Sequence, residues 1–248
     1  MGLRLERRMR FSLGAAIAAT ILFCADSPAL AEMKLRLTQG ATQETIADGG
    51  AGDINGNDGA ITFLGSVGSF DLNVTTGLSK PFRGGADDPL LDLNSINTTS
   101  GEAGVLTIEL TDTGFTGSPM GLNPIAFLTS IGGGTDGTVT IETFAGVGEF
   151  DQQVLLSTMT FDGNAFSGSD SSENFNISDL LGIDPDNPEY SLTVKITITH
   201  DADSSSSMNA TLKALPEPSA VLVWGGIAAC AFSLGFTRTR VASGSRPL

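Results

Sequence analysis

The chain has 248 residues, a formal net charge of −15, one histidine, two cysteines and 31 glycines. So acidic a protein repels the phosphate backbone, which excludes nucleic-acid binding. Cys24 and Cys230 lie towards the two ends, so the region between them has no thiol for a disulfide or a thiolate metal site.

In chain order, Arg4, Arg7, Arg8 and Arg10 precede an apolar stretch from Phe11 to Phe23, and Ala29-Leu30-Ala31 supplies a small-residue cleavage pattern. That order predicts a signal peptide over residues 1–31, cut by signal peptidase after Ala31, with Ala29 and Ala31 as its recognised small residues and Glu32 as the first mature residue. Arg10 stands where a twin-arginine signal needs an apolar residue, which favours the general secretory route. Phe23 is too bulky to precede a lipoprotein cysteine at Cys24.

Residues 32–214 amount to a single domain large enough to bury a core without disulfides. All acidic residues except Glu6, Asp26 and Glu217 fall in this region, 25 against six basic residues, a net charge of −19. The segment alternates apolar and polar residues in short runs separated by Gly, Asn, Asp and Ser. Strands are predicted over Met33–Thr38, Gln43–Ala47, Ala60–Leu64, Ser69–Thr75, Leu90–Thr98, Val105–Thr111, Gly137–Phe144, Val154–Phe161 and Tyr190–His200, with Ala210–Ala214 closing the domain. Ile125–Ile131 suits a strand or a short helix. The stretches 48–59, 80–89, 162–173, 184–188 and 201–207 read as loops or turns. Ile177–Gly182 reads as one helical turn, capped by Ser178 and stopped by Gly182. The clearest strand places Leu192, Val194, Ile196 and Ile198 inward and Thr193, Lys195, Thr197 and Thr199 outward. About ten such strands predict an all-β fold, an antiparallel β-sandwich of jelly-roll or immunoglobulin-like style, with an N-terminal signal peptide and a C-terminal transmembrane helix on either side. Val67-Gly-Ser-Phe-Asp71 is echoed at Val147-Gly-Glu-Phe-Asp151, which leaves open either two related halves or coincidence.

Residues 215–248 form a separate unit. An uncharged interval from Pro218 to Thr237 is long enough to cross a bilayer as a helix, with the span at about 219–237. Arg238 and Arg240 behind it predict a cytoplasmic C-terminal end. One reading is a plain single-pass anchor. Pro216-Glu217-Pro218, the apolar span and the basic end also resemble, in their fixed order, the PEP-CTERM sorting signal of Gram-negative bacteria. The resemblance covers about the last thirty residues. It implies recognition by the membrane protease-transpeptidase exosortase, cleavage near Pro216-Glu217-Pro218, and release to the cell surface or extracellular space in cells that make exopolysaccharide. The residues Val241–Leu248 extend beyond the usual abrupt basic ending. The same tail is found on some proteins labelled ice-binding, but Thr197-Ile-Thr199 offers such a face one Thr-x-Thr on one strand, with Lys195 interrupting the row.

Catalytic chemistry has little support. His200 is the lone histidine, at the inward parity of a strand end, and no G-x-S-x-G accompanies it. Acid pairs such as Asp87-Asp88, Glu149/Asp151 and Asp201/Asp203 have no context that singles one out for glycoside hydrolysis. The domain has no tryptophan and one tyrosine, Tyr190, so sugar stacking is also weakly provided for. The best ligand motif is Asp53-Ile-Asn55-Gly-Asn57-Asp58-Gly59, with Asp53, Asn55 and Asn57 as oxygen ligands for calcium at alternate positions. It departs from an EF-hand at Asp58 and Leu64, and a turn built from the same residues is the competing reading. The sequence thus predicts an exported, non-enzymatic surface or matrix protein with no obligatory cofactor. Its alternatives are a calcium-dependent adhesion or glycan-binding module, and a secreted hydrolase.

Overall fold

The computed structural model describes residues 32–116, 125–174, 176–184 and 189–215. The predicted signal peptide with Ala29 and Ala31, the sorting tail with Pro216, Glu217, Pro218, Arg238 and Arg240, and the span at 219–237 lie outside the described residues. Among the described residues no helix is long and apolar enough to cross a membrane.

Among the described residues twelve strands and one short helix follow one another: β1 Lys34–Gln39, β2 Thr42–Ala47, β3 Ala60–Val67, β4 Phe70–Leu78, β5 Leu90–Ser100, β6 Gly104–Phe115, β7 Ala126–Thr135, β8 Thr138–Gly146, β9 Val154–Asp162, β10 Phe166–Ser171, α1 Ile177–Leu181, β11 Tyr190–His200 and β12 Ser204–Leu215. They form two six-stranded antiparallel sheets. The first runs β2-β1-β6-β11-β8-β9 and the second β10-β7-β12-β5-β4-β3. Period-two alternation puts one face of each sheet inward, where both faces give up apolar surface to a shared core. From the first sheet come Leu35, Leu37, Leu106, Ile108, Leu110, Ile141 and the inward residues of β11; the second supplies Phe70, Leu72, Leu93, Ile96, Phe127 and Leu212. The expected β-sandwich is therefore what forms, and the clear alternation of β11 is borne out: Leu192, Val194, Ile196 and Ile198 are fully buried.

The last two strands are central. β11 lies between β6 and β8, and β12 between β7 and β5. The first sheet is not complete until the chain has reached His200, nor the second until Leu215, so late-arriving central strands close the fold.

The structure corrects several expectations. Residues 162–173 are not simply a loop, because Phe166–Ser171 adds to the edge of the second sheet, pairing Gly168 with Ile131 and Ser169 with Ser130. An exposed edge strand has little to bury, so its sequence shows no apolar alternation. Residues 201–207 are not all turn either: β12 begins at Ser204, pairing with Ser100. Ile125–Ile131 resolves as strand from Ala126. The helical turn is capped by Asn176, whose side chain accepts from the amides of Ser178 and Asp179, while Gly182 at φ 67° ends it as expected. Finally, the Val67 and Val147 echoes differ. Val67–Asp71 is a tight hairpin that seats Phe70 in the core, whereas Val147–Asp151 is a loop with Phe150 at φ 53° under the Arg36 guanidinium.

Candidate functional site

Of the predicted calcium ligands, Asp53 is committed to backbone amides. Its Oδ1 accepts from Asn55 N at 2.8 Å and Thr62 N at 2.9 Å, and its Oδ2 from Gly49 N at 3.0 Å. Asn55 Oδ1 accepts from the backbone and side-chain nitrogens of Asn57, at 3.1 and 2.9 Å. The structure thus brings the three residues together as interlocked Asx turns. Asp48 closes the same loop by accepting from Gly59 N at 2.6 Å, and its Oδ1 is buried without a hydrogen-bond partner among the described residues. Among the described residues no group of three or more His, Cys, Asp or Glu side chains is arranged to hold a metal.

His200 lies between the sheets, 1% exposed, as its inward parity predicts. Ser100 Oγ is 2.7 Å from Nδ1 and Ser206 Oγ 2.8 Å from Nε2. Ser206 continues to Thr135 Oγ1 at 2.7 Å, which also accepts from Gly137 N. Burial holds the imidazole below its ordinary range, against the opposing pull of the Asp136 charge. A serine next to a histidine has the composition of an activated nucleophile, but both partners are buried with the ring and no substrate carbonyl can reach them. The cluster is a satisfied polar plug in the core.

A second buried network ties the loop after β4 to β6. Lys80 Nζ is 2.8 Å from Asp112 Oδ2 and 3.9 Å from the Phe115 ring centroid, and Ser79 Oγ donates to the same carboxylate oxygen at 2.6 Å. Burial pushes the Asp112 carboxyl up and the Lys80 ammonium down, and their mutual attraction opposes both shifts. This is structural ion pairing rather than an open reaction centre.

The outer face of the first sheet carries a feature that chain order concealed. Thr38, Thr107, Thr197, Thr140 and Thr160 are directly opposed across five neighbouring strands. The next row alternates in charge, Arg36, Glu109, Lys195 and Glu142, with Arg36–Glu109 and Lys195–Glu142 ion-paired. β-Branched residues and opposite charges facing one another are what a wet sheet face uses for cross-strand stability.

A concave feature lies on the outer face of the second sheet. A trough of about 580 Å³ crosses β3, β4, β5 and β12 at the β3–β4 hairpin end. Register brings Ser66 opposite Asp71, Asp71 opposite Thr99, and Thr99 opposite Ser205, one polar row across four strands. At the usual inter-strand spacing the row is roughly 14 Å wide. Beside it, Ser207 Oγ donates to Asn97 Oδ1 at 2.7 Å, and Asn97 Nδ2 donates to Ser95 O at 3.1 Å. Ser66 Oγ donates to Asp71 Oδ1 at 2.6 Å, and Ser205 Oγ to Asp136 Oδ2 at 2.8 Å. Leu64, 57% exposed, forms an apolar lip. None of the described lining residues is cationic. Sequence reading missed this site because its members are dispersed over 140 positions and are individually ordinary turn and wet-face residues; only strand register assembles them.

No protein-family model matches the chain, and no curated protein matches it. Among solved structures it is similar to TmCBM61 in complex with β-1,4-galactotriose, at 6% identity and a TM-score of 0.32, over 50% of this chain and 70% of that one. What the fold and site define is a two-sheet antiparallel β-sandwich with a polar trough on one outer face.

Proposed function

We propose that the chain is an exported precursor whose β-sandwich reaches the cell surface or extracellular matrix after exosortase acts at Pro216-Glu217-Pro218, and that it serves there as a non-enzymatic component associated with exopolysaccharide. The observation that carries this reading is that the described strands all lie between the two expected cuts: β1 begins at Lys34, the third residue after Ala31, and the β12 ladder is described as far as Leu215, the residue before Pro216. Removal of both end segments leaves every described strand intact. The chemistry of the interior fits the reading, since its histidine and its buried ion pair are closed to solvent and held by partners. The test is the intact mass of the protein from culture medium and from membranes, with and without exosortase. A species running from Glu32 to near Pro216-Glu217-Pro218, lost without exosortase, is the expected result. A species retaining Arg238 and Arg240 in membranes in both strains overturns processing and leaves a tethered periplasmic domain.

A calcium-dependent adhesion module is the second reading, favoured by one observation: the partnerless Asp48 Oδ1 beside the Asp53 loop. Millimolar Ca²⁺ would then raise Tm in the native chain and leave Asp48→Asn unchanged. An unaltered native Tm removes this reading.

A further inference from the structure

We propose that the trough on the outer face of the second sheet is a binding site for a neutral glycan. The argument is one of hydrogen-bond direction. The hydroxyls of Ser66, Ser205 and Ser207 each spend their proton on a protein acceptor, at Asp71, Asp136 and Asn97 respectively. What each hydroxyl still offers outward is lone pairs. Asp71 adds acceptors only, and its Oδ2 makes no hydrogen bond among the described residues. The face is therefore rich in acceptors along one row and calls for a ligand rich in donors. Sugars meet that demand with closely spaced hydroxyls.

Charge narrows the class. The described lining holds Asp71 and no cation, within a domain carrying 25 acidic and six basic residues. An anionic polymer pays like-charge repulsion at close range with nothing to offset it. A neutral polyhydroxylated chain does not. The dimensions agree: the trough is open to solvent, and about 580 Å³ falls in the range of ligand clefts. Leu64 supplies an apolar surface for the C–H face of a ring, since none of the described lining residues is aromatic. The site is also rigid. Its polar row stands on four hydrogen-bonded strands rather than on loops, so little ordering entropy is lost on binding.

This inference deepens the surface-protein reading and rests on it for access to extracellular glycans, but its test does not pass through processing. The full chain is purified in a zwitterionic detergent without a sugar headgroup and run over immobilised dextran, galactan and β-glucan, with polygalacturonate as the anionic comparison. Retention on at least one neutral matrix is expected, with none on polygalacturonate. Asp71→Ala and Thr99→Ala are exposed changes expected to weaken retention at least tenfold at unchanged Tm. Thr140→Ala on the opposite sheet leaves it intact. Passage through all three neutral matrices, or retention that ignores Asp71→Ala and Thr99→Ala, overturns the proposal whatever the mass measurement shows.

Discussion

The backbone N–H of Ser95 donates to Asn209 Oδ1 at 2.7 Å, a bond that lies at a register change in the second sheet. Ser95 sits at φ 55°, and the β5–β12 pairing slips between Met208 and Ala210. The slip is a β-bulge: one extra residue in β5 resets its parity. Leu91 and Leu93 face the core before it, and Ile96 faces the core after it, three residues rather than two further on. The same bulge turns Asn97 outward into the trough, where Ser207 meets it. Core packing and trough geometry therefore share a hinge point.

Asn209→Ala removes the partner of a bulge amide and is expected to cost about 1 kcal/mol. Ser95→Gly relieves a left-handed conformation and is expected to be neutral or stabilising, while Ser95→Val costs about 1–3 kcal/mol, because a β-branched side chain clashes there. Denaturant midpoints for the three variants check the order Gly, Ala, Val from most to least stable. A Val variant as stable as the native chain would rule out the bulge as an organising feature.

His200 makes stability depend on pH in a defined window. Its folded value is held below the ordinary 6.5, chiefly by burial. Below that ordinary value the unfolded chain takes up a proton that the folded chain refuses, so protons favour unfolding. The contribution of neutral His200 is complete above the unfolded value and is lost as pH falls through the folded one. Tm is expected to fall between about pH 7 and pH 5, a window in which histidine is the titrating side chain. His200→Gln, lower in Tm at neutral pH because Ser100 or Ser206 loses its partner, is expected to show a flatter profile there. Parallel profiles for the two proteins would exclude His200 as the source.

The Lys80–Asp112 pair predicts non-additivity. Lys80→Met leaves Asp112, 1% exposed, without its cation, and breaking such a pair typically costs about 3–5 kcal/mol. Lys80→Met combined with Asp112→Leu removes both charges and is expected to recover much of that loss, because desolvation offsets most of what the pair gains. A double-mutant cycle on urea midpoints measures the coupling. Strict additivity would mean that the two groups act independently despite their 2.8 Å contact.

How much of this was legible in the sequence follows from what each residue buries. β11 could be read because Leu192, Val194, Ile196 and Ile198 all face one apolar core and Thr193, Lys195, Thr197 and Thr199 do not. The start of β12 could not, because Ser204–Ser207 gives its inward position to Ser206, whose partner is a buried histidine rather than a leucine. β10 was hidden for the opposite reason: at an edge it buries little beyond Phe166. The Asp53 loop was found from its spacing, but spacing alone could not show that its oxygens face inward on backbone amides. The trough is a property of register across four strands, and register is not written in any single segment.

The position of β12 yields the last prediction. It pairs along its length with β5 and β7, contributing Met208, Ala210, Leu212 and Ala214 to the interior, and its final paired residue is Leu215 with Ala126. A chain ending after Leu215 keeps every one of those ladder bonds. A chain ending after Asp203 loses the central strand of the second sheet, exposing Leu91, Leu93 and Ile96 and leaving the facing edges of β5 and β7 unpaired. Burial of that many apolar side chains stabilises by several kcal/mol, on the order of the whole stability of a domain this size. The first truncation is therefore expected to unfold with the Tm of the full chain, and the second to lack a cooperative transition. Circular dichroism melts of the two proteins decide it. If the chain ending after Leu215 were also unfolded, residues beyond Leu215 would belong to the folded unit, and exosortase cleavage beside Pro216 could not release a stable sandwich.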